Sequence, residues 1–207
     1  MTISVRGKRG PLHAESRNVV RGRATRQLIL NAARARIVAS GYEALRLEDL
    51  ARDSGVTKAA VVKSVGGKPN ILLMLGDEDR QTRLEVIRQA VAHRSGLRRR
   101  LTDLVRRLLD LDVARMNVVM AYIGYMWFWT GKDQERAQAM ITETRELLCE
   151  LIAAASPVRP TPEELGILSF RVLGSYVMGL RDLRYGFATL DDTVRFVVNY
   201  VLRSSSS

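Results

Sequence analysis

The chain has 207 residues, of which 46% are hydrophobic and 27% are charged, a balance typical of a globular protein with a substantial apolar core. Its one cysteine, Cys149, excludes an internal disulfide bond and a cysteine-rich metal site. The longest uncharged stretch, residues 116–131, is 16 residues long and falls short of the roughly 20 that a membrane-spanning helix needs. Because the N-terminus also lacks the apolar segment of a secretory signal, we expect a cytoplasmic protein without a membrane partner.

The net charge of +11 is unevenly distributed along the chain. Residues 1–75 contain 14 Lys/Arg against 5 Asp/Glu, whereas residues 76–207 contain 19 against 17. A local excess of positive charge is expected of a domain that meets a polyanion, because neutralising phosphates releases counterions. A solvated basic surface without a partner has the same composition. Charge alone therefore favours nucleic acid binding without establishing it.

Apolar residues recur at helical spacing along almost the whole chain, which predicts an all-α fold. Residues 1–22 lack that periodicity and contain several arginines, so we expect a basic, mobile arm there. The first helix is predicted from near Thr25 to Ser40. It is followed by Gly41, in the left-handed conformation that ends many helices, and by Tyr42, packed beneath the helix.

Residues 47–66 have the pattern of two short helices that meet at a tight turn. The second helix is predicted over 47–54, before Gly55, and the third follows Thr57, whose hydroxyl suits its N-cap. Small and apolar residues suit the crossing and the shared core: Leu50, Ala51, Val56 and Val61. This pattern predicts a helix-turn-helix, which presents its second helix to the major groove of DNA.

The outward face of that third helix is the predicted DNA-reading surface. Thr57 and the helix N-terminus suit a backbone phosphate, and Lys58 and Lys63 suit the negatively charged groove. Ala59 and Ala60 permit close approach and can meet thymine methyl groups, although alanine is equally an ordinary helix former. The predicted partner is a double-stranded DNA operator.

Six further helices are predicted over residues 68–92, 97–112, 113–130, 133–155, 162–185 and 191–202. The helix predicted over 113–130 is apolar nearly all round over residues 116–129, which predicts a central helix of its domain. Thr161 and Pro162, followed by Glu163 and Glu164, suit the start of the helix predicted over 162–185.

Aromatic and methionine side chains on one helix face form the candidate ligand site. Tyr122, Met126 and Trp129 share that face, where they can line an apolar cavity or cage a quaternary cation. The same stripe is equally typical of a plain hydrophobic core. Phe170 and Tyr176 are weaker candidates for the same cavity.

The last two helices contain a candidate dimerisation surface. Three glycines of the penultimate helix cost helix stability unless another helix packs closely against them: Gly166, Gly174 and Gly179. Together the two helices can form a four-helix bundle across a two-fold axis that buries Phe196, Val197 and Tyr200. Packing within one chain is the alternative.

Residues 23–75 resemble the N-terminal DNA-binding domain of the TetR family of transcriptional regulators. The resemblance rests on the helix-one pattern Ile29 to Ala33, Gly41-Tyr42, Leu47-Glu48-Asp49-Leu50-Ala51, Gly55-Val56-Thr57 and Lys68 at the start of the fourth helix. It implies a homodimer that places two recognition helices in successive major grooves, with Lys68 on the DNA backbone. Residues 125–155 and 173–201 look like the effector and dimerisation helices of the betaine-regulator-like branch, which implies a small-molecule effector.

Three positions depart from the family pattern. Val62 and Val65 stand where the family usually has a tyrosine and, three residues later, a phenylalanine, and Arg46 replaces the usual Ser/Thr cap of helix two. The missing tyrosine normally contributes a phosphate contact. Arg46 can replace that contact or can be an ordinary surface arginine. Val62 and Arg46 are therefore included in the predicted DNA surface.

We predict a basic arm at 1–22, a helix-turn-helix domain at 23–70 and a ligand-binding and dimerisation domain at 71–207. The predicted function is a ligand-responsive, sequence-specific regulator, a repressor that an effector releases from its operator. Neither His13 nor His93 has a catalytic partner at motif spacing, so we expect no enzyme, cofactor or metal. The alternatives are a TetR-like fold with degenerate DNA recognition that acts through a protein or ligand partner, and a non-specific DNA-coating protein.

Overall fold

The structure, a computed structural model, describes residues 17–203, where it contains nine helices and no β-strand. The helices are α1 Arg17–Ser40, α2 Leu47–Ser54, α3 Lys58–Val65, α4 Lys68–Ala92, α5 Leu97–Val113, α6 Met116–Tyr125, α7 Gly131–Ala155, α8 Pro162–Arg184 and α9 Leu190–Arg203. The all-α prediction is confirmed. Helices α1 to α3 pack together, α5 and α7 to α9 form a second group, and α4 packs against both. None of these helices combines the length and the apolar character needed to cross a lipid bilayer.

Helix α1 begins earlier than its apolar pattern predicts. It starts at Arg17, not near Thr25, so residues 17–22, assigned above to a basic arm, are helical. The two valines of this first stretch are about half exposed. Since this end of the helix extends past the core, it needs no apolar face and gives no periodic signal. Residues 1–16, the rest of the predicted arm, lie outside the described part of the chain.

The turns on either side of α2 are as predicted. Gly41 and Gly55 have φ angles of +81° and +68°, in the left-handed region that side chains disfavour. Tyr42 is buried behind the first of these turns. The glycines therefore allow the chain to reverse direction twice within a short span, which brings α1, α2 and α3 together.

The core of the helix-turn-helix extends beyond its own three helices. Ile29, Leu50 and Val61 are fully buried at its centre. Trp129, which follows α6, and Ala137, which lies in α7, belong to the same hydrophobic cluster. A second cluster fills the space among α4, α5, α7, α8 and α9. The two groups of helices are thus joined by buried apolar contacts as well as by α4.

Helix α6 is shorter than predicted and is not the central helix of its group. It ends at Tyr125, after which the chain turns and exposes Trp127 and Phe128, with 80% and 73% of their surface accessible. Trp129, at the end of this turn, is buried. A stretch that is apolar all round contains no periodic signal, so its sequence gives no indication of where the helix stops.

Helix α8 begins with the predicted cap. Thr161 Oγ1 accepts a hydrogen bond from the Glu164 amide at 3.2 Å, and Glu164 Oε2 accepts one from the Thr161 amide at 2.7 Å. This reciprocal capping satisfies two of the amides that the start of a helix leaves unpaired.

Helices α8 and α9 pack tightly against each other at Gly179. A Cβ on Gly179 would lie 2.6 Å from Thr193 Cγ2. A Cβ on Gly174 would have no described atom within 4 Å, and one on Gly166 would reach only Arg145, at 4.0 Å. The expected close packing therefore exists within the chain at Gly179, and not at the other two glycines.

The three residues expected in a dimer core divide between two environments. Val197 is fully buried by helices of its own chain, which corrects the expectation that a second copy buries it. Phe196 and Tyr200 are about half exposed. Residues 196 and 200 are four apart and share the outer face of α9, whereas residue 197 lies on its inner face.

Candidate DNA interface and ligand cavity

Thr57 fixes the start of α3. Its Oγ1 accepts a hydrogen bond from the Ala60 amide at 3.2 Å, which confirms the predicted N-cap. Amides at the start of a helix, together with the helix dipole, favour an anion beside them. Because Thr57 is exposed, a phosphate group can reach this end of α3.

Helix α3 buries one face and exposes the other. Val61 and Val65 are fully buried, so Val65, where the family usually has phenylalanine, is a core residue here. The predicted reading surface lies outward and is wholly or partly exposed: Lys58, Ala59, Ala60, Val62 and Lys63. The predicted residues are therefore accessible from solvent.

Lys58 has an acidic neighbour on α2. Its Nζ lies 2.5 Å from Glu48 Oε1, and the hydrogen bond from Lys58 lowers the pKa of the Glu48 carboxyl. Both side chains are 59% exposed. An ion pair in water contributes little, so it can give way to a phosphate contact.

Lys68 and Arg46 lie on either side of the loop between α1 and α2. Lys68 Nζ donates a hydrogen bond to the Glu43 carbonyl at 3.1 Å and lies 4.7 Å from the centre of the Tyr42 ring. This contact ties the start of α4 to the loop before α2. Arg46 is exposed and extended at the N-cap of α2, where its side chain forms no capping hydrogen bond within the described chain.

A cavity of about 200 Å³ lies between α4, α6, α7 and α8. Most of its wall is apolar and comes from Val118, Val119, Ile123, Met140, Ile141, Leu173, Val177 and Leu180. Its polar lining comes from Asp79, Arg80, Arg83, Asp112, Tyr122, Thr144 and Tyr176. An apolar cavity with a few polar groups on one side is the usual form of a small-molecule site.

Asp112 is a fully buried carboxylate in the lining of this cavity. Its Oδ2 accepts hydrogen bonds from Arg83 Nη1 and from the Tyr176 hydroxyl, both at 2.8 Å, and its Oδ1 lies 2.5 Å from Arg83 Nη2. Burial, followed by the charge of Asp112, raises the pKa of Tyr176, so this phenol stays protonated. The bidentate contact with Arg83 stabilises a carboxylate that burial would otherwise penalise.

Asp79 connects the cavity to the helix-turn-helix. Arg34 of α1 donates to both of its oxygens at 3.0 Å, and Arg115, just before α6, donates to Oδ1 at 2.5 Å. Arg34 also donates to Glu78 at 2.9 Å. A network of charged hydrogen bonds therefore runs from the cavity wall on α4 to α1, the first helix of the helix-turn-helix.

The predicted ligand residues fall in three places. Tyr122 and Tyr176 line the cavity. Met126 and Trp129 pack in the hydrophobic cluster of the helix-turn-helix, outside the cavity lining. Phe170 is 67% exposed on the outside of α8. Because α6 ends at Tyr125, Tyr122, Met126 and Trp129 do not lie on one continuous helix, although the Tyr122 and Trp129 rings still pack together with their centroids 5.1 Å apart.

Sequence reasoning missed the charged lining on α4 and α5. Acidic residues with arginines at helical spacing usually form a solvated surface, so this pattern gives no sign of a buried site. The available signal was the spacing of Asp79 and Arg83, four residues apart on α4, between the apolar stretch 71–75 and the apolar positions Leu84, Val86 and Ile87. Among residues 17–203, no group of three or more His, Cys, Asp or Glu is arranged to hold a metal ion.

No family model matches the chain, and a comparison with curated protein sequences finds no match. Solved structures do resemble it. The TetR family transcriptional regulator PfmR from Thermus thermophilus is 17% identical, with a TM-score of 0.66 over 84% of this chain and 97% of that one. The transcriptional regulator FadR from Bacillus subtilis, in complex with stearoyl-CoA, is 13% identical, with a TM-score of 0.66 over 84% and 95%.

AibR, in complex with isovaleryl coenzyme A and operator DNA, is 18% identical, with a TM-score of 0.62 over 84% of this chain and 96% of that one. The similarity covers nearly the whole length of each of these proteins. At such identities it shows a shared fold. The chain thus has the all-helical fold of TetR-family transcriptional regulators.

Proposed function

We propose that this protein is a transcriptional regulator of the TetR family, not an enzyme, that binds operator DNA sequence-specifically as a homodimer. It acts as a repressor and leaves its operator when a small molecule occupies the cavity. In this proposal residues 23–70 are the DNA-binding domain and residues 71–207 bind the effector and dimerise. The finer resemblance to the betaine-regulator-like branch stays a prediction.

The path of α4 is the main observation behind this proposal. The helix starts at Lys68, beside the helix-turn-helix, and lines the cavity with Asp79, Arg80 and Arg83. Fifteen residues of helix span about 22 Å, so one rigid element connects the two sites. A change in the cavity wall can therefore move the start of α4 relative to DNA.

The charged network around Asp79 supports the same coupling. Arg34 on α1 and Arg115 before α6 both bind this carboxylate, which is itself nearly buried. A ligand that shifts α4 changes these hydrogen bonds as well. Such contacts have two discrete arrangements, made or broken, which is the property that a switch requires.

The outer face of α8 and α9 supports a homodimer. Five large apolar side chains there are between 46% and 67% exposed: Ile167, Phe170, Met178, Phe196 and Tyr200. Gly174 lies on the same face of α8, with open space around it. Apolar residues clustered on two neighbouring helices are typical of a surface that a second copy covers. Phe170 is assigned here to this surface.

DNA binding is tested by a gel shift with DNA from beside the protein's own gene. We expect a specific complex that weakens steeply with salt. Lys63→Ala should weaken the complex, whereas Lys132→Ala, an exposed lysine at the start of α7, should not. If no such fragment is bound at low salt, the proposal is wrong.

The alternative function, a TetR-like fold without operator recognition, is favoured by one observation. Val62 offers an apolar side chain, 43% exposed, where the family usually has tyrosine. This alternative predicts that loss of Lys58, Lys63 and Lys68 leaves activity in cells unchanged. The proposal predicts that regulation is lost in the same triple variant.

A further inference from the structure

We infer that the cavity binds an uncharged, mostly apolar molecule of roughly eight to ten non-hydrogen atoms that has one hydrogen-bond acceptor, such as a ketone or ester carbonyl. This inference rests on the proposed function and names the chemical class of its effector. Three properties of the lining support it: size, neutralised charges and unused donors.

The size of the cavity limits its ligand. A cavity of about 150 Å³ lined by apolar residues accommodates benzene. At about 200 Å³, this one suits a single substituted ring or a short branched chain. It is too small to enclose a long-chain acyl-CoA such as the one bound to FadR from Bacillus subtilis.

The charges in the lining are already neutralised by the protein. Arg83 is paired with the buried Asp112, and Arg80 donates a hydrogen bond to Glu143. Asp79 accepts from two arginines. An anionic ligand that took the Arg83 guanidinium would leave Asp112 buried without its charge partner, which is strongly unfavourable. A cationic ligand would have to take Asp112 or Asp79 from its arginines and leave a guanidinium without its carboxylate, so a cation is excluded as well.

Two donors in the lining lack a good acceptor. The Tyr122 hydroxyl donates to Met140 Sδ at 3.8 Å, and a thioether is a weak acceptor. Burial raises the pKa of Tyr122, so its hydroxyl keeps the proton that it donates. Arg80 Nε is buried and has no hydrogen-bond partner within the described chain; Asp77 Oδ1 is 4.0 Å away. A carbonyl oxygen of the ligand would satisfy such a donor.

Gly76 leaves the space on α4 that the Tyr122 ring fills. A Cβ at position 76 would lie 2.8 Å from Tyr122 Cδ2, so the ring occupies the space that a side chain on α4 would need. The ring packs directly on the backbone of α4. The hydroxyl therefore has a defined position in the cavity, which favours selection of ligands by where their acceptor lies.

The test is isothermal titration calorimetry of the full chain with three probes of similar size: acetophenone, ethylbenzene and benzoate. Acetophenone has a neutral acceptor, ethylbenzene has none, and benzoate is an anion. We expect acetophenone to bind roughly tenfold more tightly than ethylbenzene, as one net hydrogen bond predicts. Benzoate should bind more weakly than acetophenone by at least as much.

The variant Tyr122→Phe removes the hydroxyl and keeps the ring. It should weaken acetophenone binding to about the level of ethylbenzene and leave ethylbenzene unchanged. Tyr185→Phe is the matched control, because Tyr185 is 65% exposed outside the cavity. The comparison of probes on the wild type needs no variant, so it holds even if Tyr122→Phe folds poorly.

Three results would overturn the inference: benzoate binds as tightly as acetophenone, the two neutral probes bind equally, or no probe binds at millimolar concentration. Gel shifts on the same preparation separate this failure from failure of the proposed function. DNA binding without the expected probe selectivity overturns only the ligand class. Selective probe binding without DNA binding overturns the regulatory function and supports the ligand class.

Discussion

Charged side chains have opposite environments in the helix-turn-helix and around the cavity. At the helix-turn-helix, charged pairs such as Lys58 with Glu48 are exposed to water. Around the cavity, Asp112 and Asp79 are buried and are bound by arginines from other helices. Exposed pairs rearrange at small cost, which suits the proposed exchange of protein contacts for DNA contacts. Buried pairs resist change, which suits a structure that must hold one of two arrangements.

The largest effect is expected where a buried pair is broken. Asp112→Ala leaves the Arg83 guanidinium without its carboxylate, so the free energy of unfolding should fall by about 3–5 kcal/mol. Urea denaturation followed by circular dichroism, at one fixed protein concentration, measures it. Asp110→Ala, an exposed carboxylate on the same helix, should change stability by less than about 0.5 kcal/mol. Equal effects of the two variants would remove the distinction between buried and exposed charge.

At the DNA-facing end, loss of charge should change binding and not stability. The double variant Lys58→Ala/Lys63→Ala should reduce the slope of log affinity against log salt concentration by about four for the proposed homodimer, one for each of the two lysines lost in each protomer. Fluorescence anisotropy with operator DNA over a salt series measures this slope. The melting temperature should stay close to that of the wild type. A slope that does not change would place DNA elsewhere on the molecule.

Packing offers a matched pair of glycines on α8. Gly179→Ala brings a methyl group against Thr193, so we expect a loss of about 1–3 kcal/mol in the free energy of unfolding. Gly174→Ala has space for the methyl group and should gain up to about 1 kcal/mol from helix propensity. Urea denaturation measures the free energy of unfolding of both variants. Sedimentation of Gly174→Ala shows whether the added methyl group changes the oligomeric state. A loss of stability in both would contradict this difference in packing.

The smallest expected effect is the acid dependence of an exposed cap. Hydrogen bonds from the Thr189 hydroxyl and amide lower the pKa of the Asp192 carboxyl to about 2. A lowered pKa means that the stabilisation is fully present above the unfolded value, near 4, and is lost as the pH falls towards 2. The melting temperature of Asp192→Asn should therefore lie below that of the wild type at neutral pH, and the difference should become smaller as the pH falls from about 4 to about 2. A deficit that is constant from pH 6 to pH 2 would contradict this role.

The helix-turn-helix could be predicted residue by residue, because its signals are local. Gly55 and Thr57 mark the ends of α2 and α3 through their own backbone and side-chain preferences. The cavity could not be predicted in this way. Asp112 meets Arg83 and Tyr176 across 29 and 64 residues of sequence. Partners at such separations depend on how the helices pack, and no local pattern encodes that.

The aromatic stripe shows the same limit on a smaller scale. Tyr122 lines the cavity and Trp129 does not, although the two rings pack against each other with their centroids 5.1 Å apart. The prediction assumed one continuous helix. The turn after Tyr125 changes the direction of every following side chain, and an apolar sequence contains no sign of that turn.

The contact between Gly76 and Tyr122 lies at a point where a small tilt of α4 would move its N-terminal end. Gly76 lies eight residues from Lys68, which is about 12 Å along the helix axis. If a ligand bound to the Tyr122 hydroxyl tilts α4 at this point by about 5°, the end that meets the helix-turn-helix moves by about 1 Å. In the proposed homodimer, the two recognition helices would have to match major grooves about 34 Å apart. Opposite shifts in the two protomers would add, so a small rotation deep in each subunit changes the spacing that DNA has to fit.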